Sequence, residues 1–290
     1  MSLTKEQKAA RKNRIGASDV SAIVGVNPWQ SAYDIWLEKT DRLEDKGEER
    51  HNEAVTLGND LEPVLLDYAE RELGVLDRNV EVQSRELRYL VSTLDGQVRG
   101  TREPVEAKTA GLLSFRTAEW GEPGTDEIPM LYLVQAHIQL HCTNTGICHV
   151  PALLGGRGYA MYSVLADPEL EEDLLRKIES FWLNNVQADT PPPDVLPSME
   201  SLKRVRRRAE KVVELSPHVV SQWRETVELL KKAEKEEDSA KKKVLLALGD
   251  AEAGIMLGSQ AAITYYEQKR KAYAVKEVSF RALRYTEKGL

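Results

Sequence analysis

The chain has 290 residues, 41% of them apolar and 30% charged, with a formal net charge of −7. That length fits about two domains and a substantial buried core, while 18 Gly, 12 Pro and the lack of a long apolar run exclude collagen-like, low-complexity and transmembrane classes. Two cysteines exclude a disulfide scaffold and fit a reducing cytoplasm, and the opening MSLTKEQKAARKN has no apolar stretch of the kind a secretory signal requires.

In chain order, Ser18 is placed to start a short helix over Val20–Val24, with Asp19 in its first turn. Ser31 caps a second helix that runs to Lys39. From Asn52 to Leu73, Leu57, Leu61, Val64, Leu65 and Tyr68 follow helical spacing, and Gly74 closes the segment. Pro63 is expected in a first turn, where its missing amide does no harm. The period then changes to two: Val80 and Val82 alternate with polar residues, Leu87–Leu94 is rich in strand formers, and Asp95-Gly96 is a strong tight-turn signal. Val105–Lys108 reads as a short strand, followed by helices over Leu112–Trp120 and Pro129–Thr143. Two strand-like runs, Ile147–Leu154 and Tyr159–Leu165, precede a helix capped by Asp167 and reaching about Val186. This order predicts an α+β (α/β) unit, a mixed sheet covered by helices.

ADTPPPDVLP at 188–197 carries four prolines in ten residues, which neither helix nor central strand tolerates. It divides the chain into a unit over 1–190, a proline-rich linker over 191–200 and an accessory unit over 201–290. Leu202–Leu215 and Val219–Leu248 read as a helical hairpin, and Gln260–Glu267 and Tyr273–Val278 as a small β element. Charge divides the same way: residues 201–290 hold 20 Lys+Arg against 13 Asp+Glu, a net of +7, which leaves −14 in 1–200. The overall acidity is therefore no argument against a nucleic-acid partner. KRVRRR at 203–208 places five basic residues in six positions, a pattern equally suited to phosphate contact and to a solvated helix flank.

The chemistry concentrates in STLDGQVRGTREPVEAKT, 92–109. On a strand, Glu106 and Lys108 project from one face, and a turn at Asp95-Gly96 would return Asp95 beside them. Two adjacent carboxylates repel unless a cation joins them, and a hard divalent ion with oxygen ligands is the natural one. Glu62, at the flank of the helical stripe, offers a third carboxylate. A Glu-x-Lys pair on a strand is also commonly just a solvent-facing ion pair. His137, His141, His149, Cys142 and Cys148 raise a zinc alternative. HIQLH lacks the glutamate of a metalloprotease helix, and the two cysteines lack knuckle spacing.

RIGASDVSAIVGVNPWQSAYDIW (14–36), GNDLEP (58–63), STLDG (92–96), VEAKT (105–109) and YLVQAHIQL (132–140) together resemble the PD-(D/E)XK nuclease superfamily. Within it they resemble the YqaJ-type viral recombinase group to which lambda exonuclease belongs, in the family's order and over most of 1–190. The resemblance implies a restriction-endonuclease-like core and a metal-dependent deoxyribonuclease of phage or prophage origin, working in a bacterial cytoplasm. It assigns Glu62, Asp95, Glu106 and the Ala107 carbonyl as ligands of Mg²⁺, with Mn²⁺ able to substitute. Lys108 becomes the catalytic lysine and Gln135 the glutamine that orders the attacking water. Arg14, Ser18 and Thr93 fall where lambda-type enzymes hold a DNA 5′-phosphate. The implied reaction is 5′-to-3′ digestion of duplex DNA from its ends, leaving single strands for an annealing protein, by a trimer. Endonucleolytic cutting of internal or branched sites, a non-catalytic DNA-binding recombination module, and a docking role for the C-terminal unit are the competing readings. Three positions depart from the pattern: Leu94 replaces the family proline, Thr93 a serine, and Gln135-Ala136-His137 the usual Gln-x-Gln.

Overall fold

The computed structural model describes residues 13–44, 53–111, 119–256, 258 and 262–267. It divides into two units, Met1–Arg207 and Arg208–Leu290.

The first unit is built on a seven-stranded mixed sheet. β1 (Ile15–Gly16) leads into α1 (Ala17–Ile23) and α2 (Ala32–Lys39). After α3 (Glu53–Leu73) come β2 (Leu76–Gln83), β3 (Leu90–Val98), β4 (Pro104–Val105) and β5 (Lys108–Ala110). α4 (Met130–Thr143) is followed by the hairpin β6 (Ile147–Leu154) and β7 (Gly158–Leu165), then α5 (Pro168–Phe181), a π-helical turn over Trp182–Gln187 and α6 (Met199–Arg204). β3 is the hub, parallel to β1 and antiparallel to β2 and β4. β4 and β5 both run parallel to β6, with Val105 opposite His149 and Lys108 opposite Ala152, and β7 closes antiparallel on β6.

Three apolar clusters hold the helices to this sheet. α1, α2, α4 and α5 bury Val20, Ile35, Trp36, Ile138 and Ile178 against Ile15 and Leu90. Ala136 and Leu140 of α4 pack with Cys148, Val150 and Tyr162 of the β6–β7 hairpin. Leu66 and Ala69 of α3 pack on Leu76, Val98 and Val105. At about 25 cal/mol per Å² of buried apolar surface, a fully buried Leu or Ile contributes roughly 1.5–3 kcal/mol.

Several local expectations give way to tertiary structure. α1 is capped at Gly16, whose amide donates to Asp19 Oδ2 at 3.0 Å, so Ser18 lies inside the first turn and is exposed. Asp95-Gly96 is not a turn: both residues lie within β3, which reverses only after Val98. Gly96 is there for packing, since a Cβ would meet Leu76 Cδ1 at 3.2 Å and Leu66 Cδ2 and Val105 Cβ at 3.4 Å. The expected strand Val105–Lys108 is broken at Glu106–Ala107. Pro63 sits deep within α3 rather than in its first turn, and so removes one internal amide donor from the helix. The expected helix 112–120 lies outside the described residues over 112–118, and Glu119 and Trp120 are not helical.

The helix expected over Leu202–Leu215 ends at Arg204, because the next residues pair with the chain after α2. The Glu44 amide donates to the Arg204 carbonyl at 2.7 Å, the Arg206 amide donates to the Arg42 carbonyl at 2.9 Å, and Arg206 grips Asp41 at 2.8 and 2.9 Å. Part of the 203–208 basic cluster is therefore a strap. Asp34 adds a second tie, its Oδ1 accepting from the Ser198 amide at 2.8 Å and its Oδ2 from the Ser31 amide at 2.7 Å. Burial would raise the Asp34 carboxyl, but hydrogen bonds from Ser31, Ser201 and Ser198 outweigh it and hold it below its ordinary value. A depressed carboxyl stabilises the fold above its unfolded value, near 3.9, and that contribution disappears as pH falls through the folded value. Asp34→Asn is therefore expected to lose about 1–3 kcal/mol at pH 7. The gap between its urea midpoint and that of the wild type should shrink toward pH 3, and a pH-independent gap would refute the charge argument.

The second unit contains, among the described residues, one long helix, α7 (Pro217–Leu248), and a two-stranded sheet of β8 (Ala253–Ile255) and β9 (Ala262–Thr264). The expected hairpin is thus a single helix, started by Pro217 and stopped at Gly249. The strand expected at Tyr273–Val278 lies outside the described residues. Among the described residues no helix is long and apolar enough to cross a membrane.

Candidate active site

The break between β4 and β5 creates the site. Where the ladder stops, the Ala107 amide is released from strand pairing and donates to Asp95 Oδ2 at 2.9 Å, while the Glu106 amide still donates to the His149 carbonyl at 2.9 Å. Glu106 turns inward and is only 5% exposed. Its Oε1 accepts from Lys108 Nζ and, at 2.6 Å, from Gln135 Nε2 of α4. Its Oε2 accepts from Gln139 Nε2, one helical turn further along. Lys108 Nζ also lies 5.0 Å from the centre of the Tyr132 ring.

The electrostatics follow from this crowding. Burial and the neighbouring Glu106 carboxylate, with a smaller push from Glu62, raise the Asp95 carboxyl to about 8 against the opposing effects of Lys108 and the Ala107 amide. For Lys108, burial opposes the charge, but Glu106 and Asp95 outweigh it and push the ammonium above its ordinary value. The charged form of Lys108 is thus favoured beside these two carboxyl groups.

Asp95, Glu106 and Lys108, expected together from their spacing, and Gln135, expected from the resemblance, are brought together, although through a break between β4 and β5 rather than a turn. Glu62, half-buried on α3, is close enough to act on Asp95 by charge. Among the described residues no three His, Cys, Asp or Glu side chains converge as a ready-made metal cage. The Asp95–Glu106 pair nonetheless fits a hard dication: burial first, and the neighbouring Glu106 carboxylate second, drive the Asp95 carboxyl upward, and a cation on these oxygens would offset both.

The remaining expected residues lie apart from this cluster. Thr93 is exposed on β3 opposite Glu81. Arg14 Nη1 pairs with Glu81 Oε1 at 2.8 Å, which places Arg14 and Thr93 around one β2 residue, and Ser18 is exposed on α1. His137, which could have faced DNA, is 3% exposed, and burial lowers its imidazole. His141 bridges Ser84 Oγ at 2.7 Å and Glu171 Oε1 at 2.8 Å, tying α4 to the β2–β3 connection and α5. Cys142 and Cys148 are buried thiols, pushed up by burial, Cys142 to about 12. The histidines and cysteines thus serve packing and bracing, where the sequence had raised zinc.

Sequence reasoning did not single out Gln139. Its signal was available: four residues after Gln135, it falls on the same helical face. The buried Asp19–Lys39 pair, with Nζ 2.7 Å from Oδ2, was also missed.

Known proteins place this geometry. Residues 6–146 match the family model of the YqaJ-like viral recombinase domain. The chain is 26% identical to the protein YqaJ of Bacillus subtilis (strain 168) over 186 residues, 63% of this chain and 56% of that protein, so it spans little more than half of that relative's length. An alkaline exonuclease from Laribacter hongkongensis has the same fold, with a TM-score of 0.51 at 20% identity over 64% of this chain and 94% of that one. The same enzyme in complex with dAMP gives a TM-score of 0.50. The mixed sheet flanked by helices is the fold of that alkaline exonuclease. The sequence resemblance to the YqaJ-type group is met by the family model over residues 6–146 and by the relative.

Proposed function

We propose that this YqaJ-like chain is a divalent-metal-dependent deoxyribonuclease, and specifically a 5′-to-3′ exonuclease on duplex DNA. The observation that carries the reading is the buried group of Asp95, Glu106, Lys108 and Gln135 at the break between β4 and β5. A Mg²⁺ or Mn²⁺ ion held by Glu62, Asp95, Glu106 and the Ala107 carbonyl would supply charge neutralisation and water activation for phosphodiester hydrolysis. The chain's own residues do the rest. Lys108 keeps its proton and offsets the negative charge that develops on the phosphoryl oxygens. Gln135 orients Glu106 on one side and offers its amide oxygen to a water on the other. Arg14, Ser18 and Thr93 are proposed to hold the terminal 5′-phosphate, with Arg14 released from Glu81 when the anion arrives. Use of the single-stranded product by an annealing protein, and assembly as a trimer around DNA, are proposed from the family resemblance.

The test is digestion of end-labelled linear duplex with Mg²⁺, with the 5′-phosphate present or removed. Loss of label from 5′ ends with closed circular duplex left intact is the expected result. Cutting of the circle would assign an endonuclease instead, and salt-dependent binding without cleavage in Mn²⁺ would assign a non-catalytic module. Arg14→Ala is expected to erase the preference for phosphorylated ends while cleavage of unphosphorylated ends continues. A preference that survives Arg14→Ala would remove Arg14 from the pocket.

A further inference from the structure

We infer that Gln139 is a positioning residue for Glu106, and that the Cys148 thiol fixes which way its amide faces. The inference rests on the nuclease reading above and concerns how the Glu106 carboxylate is held for a cation.

Gln139 lies in the middle of α4, is 0% exposed, and reaches nothing that a substrate could touch. Its Nε2 donates to Glu106 Oε2, the oxygen that neither Lys108 nor Gln135 engages. Its Oε1 faces Cys148 Sγ of β6 at 3.5 Å. An amide has one donor end and one acceptor end, so its direction depends on the groups it meets. Cys148 is fully buried, and burial keeps it a neutral thiol with an S–H to give. A thiol at one end and a carboxylate at the other leave a single satisfied orientation, with Oε1 toward sulfur and Nε2 toward Glu106. The Thr143 hydroxyl, donating to the Gln139 carbonyl at 2.8 Å, braces the same turn of α4.

Glu106 is therefore held through both oxygens by two amides four residues apart on one helix face. Gln135 and Lys108 share the open-side oxygen, and Gln139 locks the inner one. A carboxylate pinned at its inner oxygen cannot rotate about its terminal bond, so the outer oxygen stays where Lys108 and Gln135 meet it. Groups that orient metal ligands in this way affect cation affinity without touching the cation. The pattern departure at His137 also finds its counterpart: the second amide comes from position 139.

Gln139→Met, which keeps length and volume and removes the donor, tests this in the full-length protein. The probe is Mn²⁺ alone, titrated by calorimetry and by electron paramagnetic resonance, alongside duplex digestion across Mg²⁺ concentrations. The expected result is an Mn²⁺ dissociation constant about 10- to 100-fold higher, a matching shift in the Mg²⁺ needed for half-maximal digestion, and an unchanged KM for duplex ends. A purely structural Gln139 would lower thermal stability and leave the Mn²⁺ isotherm where it was, and that outcome overturns the inference. Should Gln139→Met fail to fold, Gln139→Asn, whose amide is one methylene too short to reach Glu106, is read by the same criterion. Wild-type protein that neither binds Mn²⁺ nor cuts DNA would instead refute the nuclease reading. Wild-type activity with unchanged Mn²⁺ binding in the variant refutes only the positioning role.

Discussion

Lys108→Ala is expected to lower the rate of duplex cleavage by about 10²- to 10³-fold, the loss that follows removal of one preorganised charge-stabilising group. The fall should appear in kcat, with KM for DNA ends little changed, because the ammonium is held against Glu106 and its proposed role is confined to the reacting phosphate. The lysine is held among Glu106, Asp95 and the Tyr132 ring, so its charge is fixed before substrate arrives. Lys108→Arg keeps the charge but is not a rescue. A planar guanidinium cannot occupy the place of a compact ammonium that shares Glu106 Oε1 with Gln135. Asp95→Ala is expected to be as damaging, since it removes the carboxylate that the Ala107 amide orients. Gel-resolved single-turnover digestion of linear duplex separates these effects from slow product release. Lys108→Ala digesting as fast as wild type would mean that chemistry takes place elsewhere.

The centre of this site was legible in sequence because Glu106 and Lys108 are two apart on a strand-like run close to Asp95, and because the family resemblance added Gln135. Asp95, Lys108 and Gln135 lie on β3, β5 and α4, while Glu106 lies in the break between β4 and β5. What could not be read was how neighbouring segments compete for backbone groups. Asp95-Gly96 carries the local signature of a hairpin, yet the glycine serves the close approach of Leu66 and Leu76, and the strand runs on. Glu106–Ala107 reads as strand, but the strand breaks there and gives the Ala107 amide to Asp95. Residues 205–207 read as helix by composition, and pairing with 42–44 overrides that preference. Gln139 and Cys148 meet only through the packing of α4 on β6, a contact that no local window contains.

Lys39→Met is expected to destabilise the first unit by about 3–5 kcal/mol, the usual loss when one partner of a buried ion pair is removed. For a unit of this size that corresponds to a fall of roughly 6–20 °C in the thermal midpoint. The side chain of Lys39 is wholly buried at the end of α2, with Nζ 2.7 Å from Asp19 Oδ2 and 3.4 Å from Glu38 Oε1. Asp19 is itself committed, because the same Oδ2 accepts the Gly16 amide at the start of α1. Without the ammonium, a buried carboxylate loses the Lys39 charge while its Oδ2 still accepts the Gly16 amide at the capped start of α1. It must then either remain charged at high cost or take up a proton and weaken the cap. Adding Asp19→Asn should recover part of the loss, since asparagine caps a helix without needing a cation, and the double variant is expected to melt above Lys39→Met. The pair also fixes the junction of β1 and α1, with Arg14 just before β1 and Ser18 in the first turn of α1, so Lys39→Met is expected to weaken discrimination of 5′-phosphorylated ends. Thermal unfolding of the single and double variants decides the matter. A Lys39→Met protein that melts with the wild type would show that the ammonium is not what holds α1 to α2.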